Sequence, residues 1–380
     1  MLPDLGCRHA LLLQGPAGPF FRRFAVELRA AGIQVTKVNL HAGDELFFPG
    51  PQSVPYRGTK AGWPDFVRDL MRERGIDAVF VFGDCRPYHR DAIQVARELG
   101  VAVWVFEEGY LRPDYITLER EGVNGYSTLP RDPAFYRAND PGPREEPVPV
   151  GSTIGPAAWW STLNALAFTL RRGAYPHYEH HRPLNAWLHT YWHVRGAFRK
   201  VWFQARERRL LDRIAAGLGG RYFLVPLQVH CDFQLVHSPY ENVLEFVREV
   251  VATFAEHASP DDHLVLKHHP MDRAYREYGR FMRDLAARHG LEDRLWYVHD
   301  LHLPTLLKRA KGTITINSTV GLSSIHHGTP VKVLGTAVYD MPGLTHQGTL
   351  PEFLRSPGTL DRPLYEAFRN HLLHTNQANG

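Results

Sequence analysis

The stretch DAVFVFGDCRPYHRDAIQVARELGVAVWVFEEG, residues 77–109, decides the fold. DAVFVFG is a short apolar run, rich in β-branched and aromatic residues and stopped by glycine, so it reads as a strand. HRDAIQVARELG spaces its apolar residues at helical intervals and closes on a glycine. VAVWVF is a second strand, ended by two acids, Glu107 and Glu108, and a glycine. Strand, helix, strand, with both strands apolar throughout, is the pattern of a parallel sheet covered by crossover helices.

The alternation continues outward from this unit. Toward the N-terminus, HALLLQG reads as a strand, PFFRRFAVELRAAG as an amphipathic helix closed by Gly32, IQVTKVNL as a strand and WPDFVRDLMRERG as a helix. A second series begins at the strand RYFLVPLQV and the helix YENVLEFVREVVATFAEH. DHLVLKHHP and RLWYVHD bracket the helix AYREYGRFMRDLAARHG, and GTITIN, a short helix and VKVLG complete it. Residues 130–155 are proline-rich and poor in aliphatics, which marks a linker. Residues 159–218 read as helices rich in Arg, His and aromatics. The expected fold class is α/β: a GT-B-like pair of Rossmann-like domains facing a cleft, with a helical insertion between them. The expected divisions are an N-terminal domain over 1–150, a helical basic-aromatic region over 151–218, a second Rossmann-like domain over 219–350 and a polar, weakly helical tail over 351–380.

Composition bounds the partners. With 380 residues, 44% hydrophobic and 22% charged, the chain is long enough for two globular cores. No run approaches the ~20 apolar residues that cross a bilayer, and the N-terminus lacks a basic segment followed by a long apolar one, so cytoplasmic residence is expected. Three scattered cysteines, Cys7, Cys85 and Cys231, suit neither a disulfide framework nor a zinc ribbon. The net charge of +4 is mild, lies largely within residues 171–213, and calls for no nucleic-acid partner.

Four polar clusters sit at strand ends, where open α/β sheets bind ligands. KHHPMDR, residues 267–273, places Lys267, His269 and the stiffening Pro270 where a phosphate would be hydrogen-bonded; a solvated basic loop is the blander reading. No third ligand stands at a useful spacing for a metal, and none is expected. TITINSTVGLSSIHHGTPVKVLG, residues 313–335, ends a strand before Ser318 and Thr319, which suit either a helix cap or an anion at that helix start. VPLQVHCDFQLVH, residues 225–237, groups Gln228, His230 and Asp232. FGDCRPYHRDA, residues 82–92, brings Asp84, Arg86 and His89 to the side of the sheet that carries Glu107, Glu108 and Arg112; Asp84 alone would suit a cap on the helix that follows.

Taken together, LLLQGPAGPFFRRFA, VNLHAGDELFF, FGDCRPYHRDAI, VFEEGYLRPDYITLEREGVNGYS, KHHP and NSTVG closely resemble the KpsS/LipB family of capsule polysaccharide proteins, over nearly the whole chain. The resemblance implies a retaining β-Kdo transferase, related to KpsC-like enzymes, with CMP-β-Kdo as donor substrate and no cofactor. It implies addition of the first Kdo to a lyso-phosphatidylglycerol glycolipid anchor at the inner-membrane surface, beside a KpsC-like transferase and the capsule export machinery. The family's Gln-x-x-x-Asp segment is matched by Gln228 and Asp232, its His-Pro motif by His269 and Pro270, and its Ser-containing helix start by Ser318 and Thr319. The Glu-Asp-Gly triplet of KpsC-like chains stands here as Glu107-Glu108-Gly109, a departure that leaves two acids for one role. By resemblance Asp232 is the nucleophile and Glu107, then Glu108, the candidate base, with Lys267, His269 and the Ser318–Thr319 amides on the CMP phosphate. Two other classes remain open at this level: a non-catalytic glycolipid-binding scaffold for export, and an epimerase acting on a UDP-linked sugar.

Overall fold

The computed structural model describes residues 5–151, 153–180 and 185–379. Residues 1–4, 152, 181–184 and 380, which belong to the expected N-terminal domain, helical region and tail, lie outside the described residues. The chain forms two compact units, one of Met1–Thr128, Pro147–Tyr191 and Ala378–Gly380, the other of Leu129–Glu146 and Trp192–Gln377.

The first unit is built on strands β1 (His9–Leu12), β2 (Gln34–Asn39), β3 (Ser53–Pro55), β4 (Ala78–Phe82), β5 (Ala102–Glu108) and β6 (Tyr115–Arg120). With the C-terminal strand they order as β12-β6-β5-β4-β1-β2-β3, β12 being Gln377–Asn379. β1 to β5 pair in parallel, whereas β6 runs antiparallel to β5. Its helices are α1 (Phe20–Ala30), α2 (Ala42–Phe47), α3 (Trp63–Arg74) and α4 (Pro87–Glu98). Alternate strand residues point to opposite faces. Leu11, Val79, Val81, Val103 and Val105 pack with Trp63, Val67 and Met71 of α3 and Ile93 of α4. Ala10, Leu12, Phe80 and Phe106 pack with Phe21, Phe24 and Leu28 of α1. Each such buried large side chain contributes ~1.5–3 kcal/mol. Helices therefore cover both faces, as the unbroken apolar runs require.

The second unit repeats the plan. Its helices are α5 (Pro133–Ala138), the greater part of α7 (Ala186–Glu207), which begins in the first unit, and those that follow; α6 (Ile154–Leu170) belongs to the first unit. After α8 (Leu210–Gly217), strands β7 (Tyr222–Pro226), β8 (His263–Lys267), β9 (Leu295–Val298), β10 (Gly312–Thr315) and β11 (Val331–Val333) order as β11-β10-β7-β8-β9, all parallel. They alternate with α9 (Val243–His257), α10 (Gly279–His289), α11 (Leu303–Arg309) and α12 (Val320–His326). Phe246, Val250 and Phe254 of α9 and Met282 of α10 cover one face, and Ile214 of α8 with Leu306 and Leu307 of α11 the other. Two Rossmann-like units in one chain is the expected class.

The divisions between them differ from those read in the sequence. The proline-rich linker contains α5, capped by the Asp132 carboxylate on Ala134 N at 2.9 Å, and its Tyr136 is buried edge-on against Phe368. Composition hid this because two aromatics suffice to dock a six-residue helix. The tail carries helix, as its sequence suggested: α13 (Leu350–Arg355) opens with a Thr349/Glu352 capping box, and α14 (Arg362–Thr375) buries Leu364, Phe368 and Leu372, spaced four apart on one stripe.

β5 and β6 meet in a tight hairpin that sets Glu107 opposite Thr117 and Glu108 opposite Ile116. Thr117 Oγ1 accepts from Tyr110 N at 3.2 Å, while a Cβ on Gly109 would stand 2.1 Å from the carbonyl oxygen of Tyr115. Only a residue without Cβ fits there. Gly109→Ala should destabilise the fold by ~2 kcal/mol or more, read as a lowered Tm; an unchanged Tm would show that the hairpin relaxes without cost.

Candidate functional site

In the first unit, polar side chains collect beyond the carboxyl ends of β1, β2, β4 and β5. Gly83 ends β4 with φ +75°, a left-handed conformation that favours glycine. Its carbonyl accepts from the fully buried His89 Nδ1 at 2.7 Å, and its N–H donates to Phe106 O at 2.8 Å. Arg86 Nε and Glu107 Oε2 each lie 3.8 Å from the point where a Cβ on Gly83 would sit, so the turn draws both groups toward one spot. Burial pushes the half-buried Glu107 carboxyl up to about 7; the Glu108 amide at 3.0 Å and Arg86 oppose that rise, and Glu108 and Asp84 add to it. Burial and Arg86 push His89 down to about 3, so its ring is neutral, and its Nε2 is buried with no hydrogen-bond partner.

The remaining candidates of this unit separate by role. Glu108 is exposed and ion-paired with the exposed Arg112 at 2.7 Å. Asp84 is buried and does not cap α4, whose start at Arg86 has no side-chain cap. It accepts instead from Val123 N at 2.9 Å and Cys85 Sγ at 3.2 Å, tying the segment after β6 to the β4 end.

Sequence reasoning missed several neighbours. Lys37 and His41 are buried, and burial lowers both pKa values. Asp44 would be raised by burial, but His41 and Lys37 hold it below the ordinary carboxylate range. His41 Nδ1 accepts from Gly43 N at 2.9 Å and so caps α2. Gln14 donates to Tyr178 OH at 2.9 Å, and Tyr178 stacks on Tyr88 at 5.6 Å. These residues, with Arg86, Lys60 and His180, line a pocket of about 120 Å³. The one available signal was a lysine inside the strand IQVTKVNL, which reads as solvent-facing but is covered.

In the second unit the centre is Gln228, buried just beyond β7. Its Nε2 donates to Asp232 Oδ2 at 3.0 Å and to Asn317 Oδ1 at 2.9 Å, and Asn317 Nδ2 donates to Gln234 O at 2.8 Å. Asp232 Oδ1 accepts from Gln234 N at 3.0 Å, capping the short 3-10 turn that follows. The half-buried Asp232 is thereby fixed between the ends of β7 and β10. His230 donates its backbone N–H to the buried Asp272 at 2.7 Å and shares a 2.6 Å ring contact with it.

The basic cluster after β8 is more internal than its sequence implied. Lys267 is buried with Nζ on His299 O at 3.1 Å, and burial lowers its pKa; it is committed to a carbonyl rather than presented at a surface. His268 is buried against Tyr297 OH at 2.6 Å and pushed down to about 3, first by burial and then by His299. The half-buried His269 turns Nδ1 onto Met271 N at 3.2 Å, and the exposed Pro270 opens the next 3-10 turn. Ser318 Oγ accepts from Val320 N at 3.2 Å, whereas Thr319 holds the N-cap place of α12 without a side-chain bond. A Cβ on Gly321 would stand 2.1 Å from Tyr339 OH, which donates to Ser318 O. Glu207, the last residue of α7, was not foreseen. It is buried and accepts from His299 N at 2.9 Å, His299 Nδ1 at 2.7 Å and Asp300 N at 3.1 Å.

Fold and clusters define a protein of two Rossmann-like units, each with chemistry-bearing groups at the carboxyl ends of its parallel strands. The family described as capsule polysaccharide biosynthesis protein matches residues 77–380. The chain is 40% identical over 374 residues to the capsule polysaccharide export protein KpsS of Escherichia coli, covering 97% of this chain and 95% of that one. It is 40% identical over 378 residues to the capsule polysaccharide modification protein LipB of Neisseria meningitidis, covering 97% and 90%. Among solved structures, KpsC of Thermosulfurimonas dismutans, a beta Kdo 2,7 transferase, aligns with a TM-score of 0.44 at 14% identity over 96% of this chain and 89% of that one. The chain belongs to the capsule polysaccharide biosynthesis protein family.

A carboxyl whose folded pKa is raised favours its neutral form in the native state. The stability this confers is present below the ordinary value near 4.5 and is lost as pH rises through about 7. Glu107→Gln should therefore gain on the native protein by on the order of 2 kcal/mol between pH 5 and pH 8, measured as the difference in unfolding free energy. A difference independent of pH would show that Glu107 titrates normally.

Proposed function

We propose that this chain is a glycosyltransferase that moves Kdo from CMP-β-Kdo to a lyso-phosphatidylglycerol acceptor with retention, adding the first Kdo of a capsule linker at the inner-membrane surface. The observation that carries this reading is Glu107, a carboxylate tuned to about 7 at a strand end beside Arg86. A base is most effective when its pKa lies near the working pH. Glu108 is instead exposed and held in an ion pair with Arg112, so we assign the base to Glu107.

Retention at an anomeric carbon that bears a carboxylate and no hydrogen calls for two displacements. In the first, an Asp232 oxygen bonds to C2 of Kdo while the C2–O bond to the CMP phosphate breaks and the electron pair leaves with CMP. In the second, Glu107 takes the proton of the acceptor hydroxyl, the acceptor oxygen bonds to C2, and the C2–Asp232 bond breaks to restore the carboxylate. Gln228 orients Asp232 by donating to its Oδ2. His269 and the Ser318–Thr319 backbone lie beyond the ends of β8 and β10, the two strands that flank β7, where they suit the departing phosphate, and Lys267 adds positive charge from within. Fold alone would not select this chemistry, since similar units serve epimerases.

Incubation with CMP-Kdo and lyso-phosphatidylglycerol, with UDP-sugars in parallel, should yield a lipid heavier by one Kdo and only from the CMP donor. Asp232→Asn keeps the cap on Gln234 and should retain CMP binding while transfer falls by ~10³-fold or more. Lipid binding without any product would favour a scaffold, turnover of a UDP-sugar an epimerase, and full transfer by Asp232→Asn would remove the nucleophile. The wild-type rate should rise with pH through about 7 as Glu107 deprotonates.

A further inference from the structure

The pocket of about 120 Å³ in the first unit offers more hydrogen-bond donors than acceptors. Of the side chains that line it, Lys60 and Arg86 are cationic and half-buried, and Glu179, its one acid, is exposed. The Tyr178 hydroxyl accepts from Gln14 Nε2 at 2.9 Å and the Tyr88 hydroxyl from Glu179 N at 3.4 Å, which leaves each its own proton to donate. Burial raises both phenol pKa values, so those protons stay in place at neutral pH. The lining thus carries an excess of one positive charge, the complement of a phosphodiester with its single negative charge.

Size and shape restrict the ligand further. Pockets that enclose a whole drug-sized molecule run to ~300–1,000 Å³. One of about 120 Å³ admits a phosphate group with a few attached atoms, not a nucleotide or an entire sugar acid. Tyr88 and Tyr178, with ring centres 5.6 Å apart and planes inclined by 25°, give it a flat wall against which a short carbon chain can lie. Arg86 joins this pocket to the candidate base. Its Nε lies 3.8 Å from the point where a Cβ on Gly83 would sit, as does Glu107 Oε2, while the same side chain lines the pocket. An oxyanion held by that guanidinium brings the atoms a few bonds further along the ligand to Glu107.

We propose that this pocket binds the phosphodiester of the acceptor headgroup, with Arg86 and Lys60 on its charged oxygens and the Tyr88 and Tyr178 hydroxyls donating to it, and so sets the acceptor hydroxyl against Glu107. The proposal rests on the transfer reading given above. Its test measures initial rates of the full chain against lyso-phosphatidylglycerol and CMP-Kdo in turn. Glycerophosphoglycerol, the headgroup diester without an acyl chain, is titrated calorimetrically beside inorganic phosphate. Lys60→Gln, which removes a charge, and Tyr178→Phe, which keeps the ring, should each raise KM for the acceptor ~tenfold or more and leave KM for CMP-Kdo unchanged. The diester should bind the native protein more tightly than inorganic phosphate does, and both substitutions should weaken it. An acceptor KM unchanged in both variants, or a rise confined to the CMP-Kdo KM, would overturn the proposal. So would inorganic phosphate binding as tightly as the diester, which would mark an adventitious ion only. A native protein that transfers nothing would refute the transfer reading, and the titration would then decide the pocket: diester binding lost in Lys60→Gln upholds it as a phosphodiester site, and no binding overturns it.

Discussion

When helices cover both faces of a parallel sheet, its polar side chains are confined to the strand ends, and there the surrounding protein removes water from them. Glu107 shows the consequence most clearly. It occupies the penultimate position of β5, where the β4 turn at Gly83 brings Arg86 close but not close enough to cancel the cost of desolvation. The carboxyl is thus held near neutrality, and the groups around it are arranged to keep it so: His89 is neutral, and Asp84 is spent on holding the segment after β6.

The second unit uses the same strand ends differently. Gln228 bridges Asp232 and Asn317, so a side chain after β7 and one after β10 are set by a single amide. Asp232 remains an acceptor on both oxygens, the state a nucleophile needs. Beyond the ends of β8 and β9 lies a buried group, Lys267, His268, His299 and Glu207, in which Lys267 bonds the His299 carbonyl, His268 the Tyr297 hydroxyl and His299 the Glu207 carboxylate. That group explains why α7 ends where it does: three donors from the β9 end converge on one carboxylate.

Much of this was legible in the sequence, and the failures have a common cause. Continuous apolar runs and glycine-closed helices gave the order of strands and helices in both units, and the strand-end position drew attention to Glu107, Gln228, Asp232 and His269. Docking by a few aromatics was not legible, which is why α5 passed for linker. Nor was the inward turn of cations: Lys37 and Lys267 read as surface charge because sequence records a residue's type and not the direction of its side chain. Glu207 lay beyond reach for the same reason, being the one acid of α7, with partners more than ninety positions away in the chain.

The central claim is that Asp232 carries the sugar and Glu107 releases it to the acceptor. Intact-protein and peptide mass spectrometry of Glu107→Gln after exposure to CMP-Kdo tests it most directly. A Kdo adduct should accumulate on the peptide containing Asp232 and be absent when Asp232→Asn is added. Transfer by the native enzyme with no adduct on that peptide in the Glu107→Gln protein would contradict the claim.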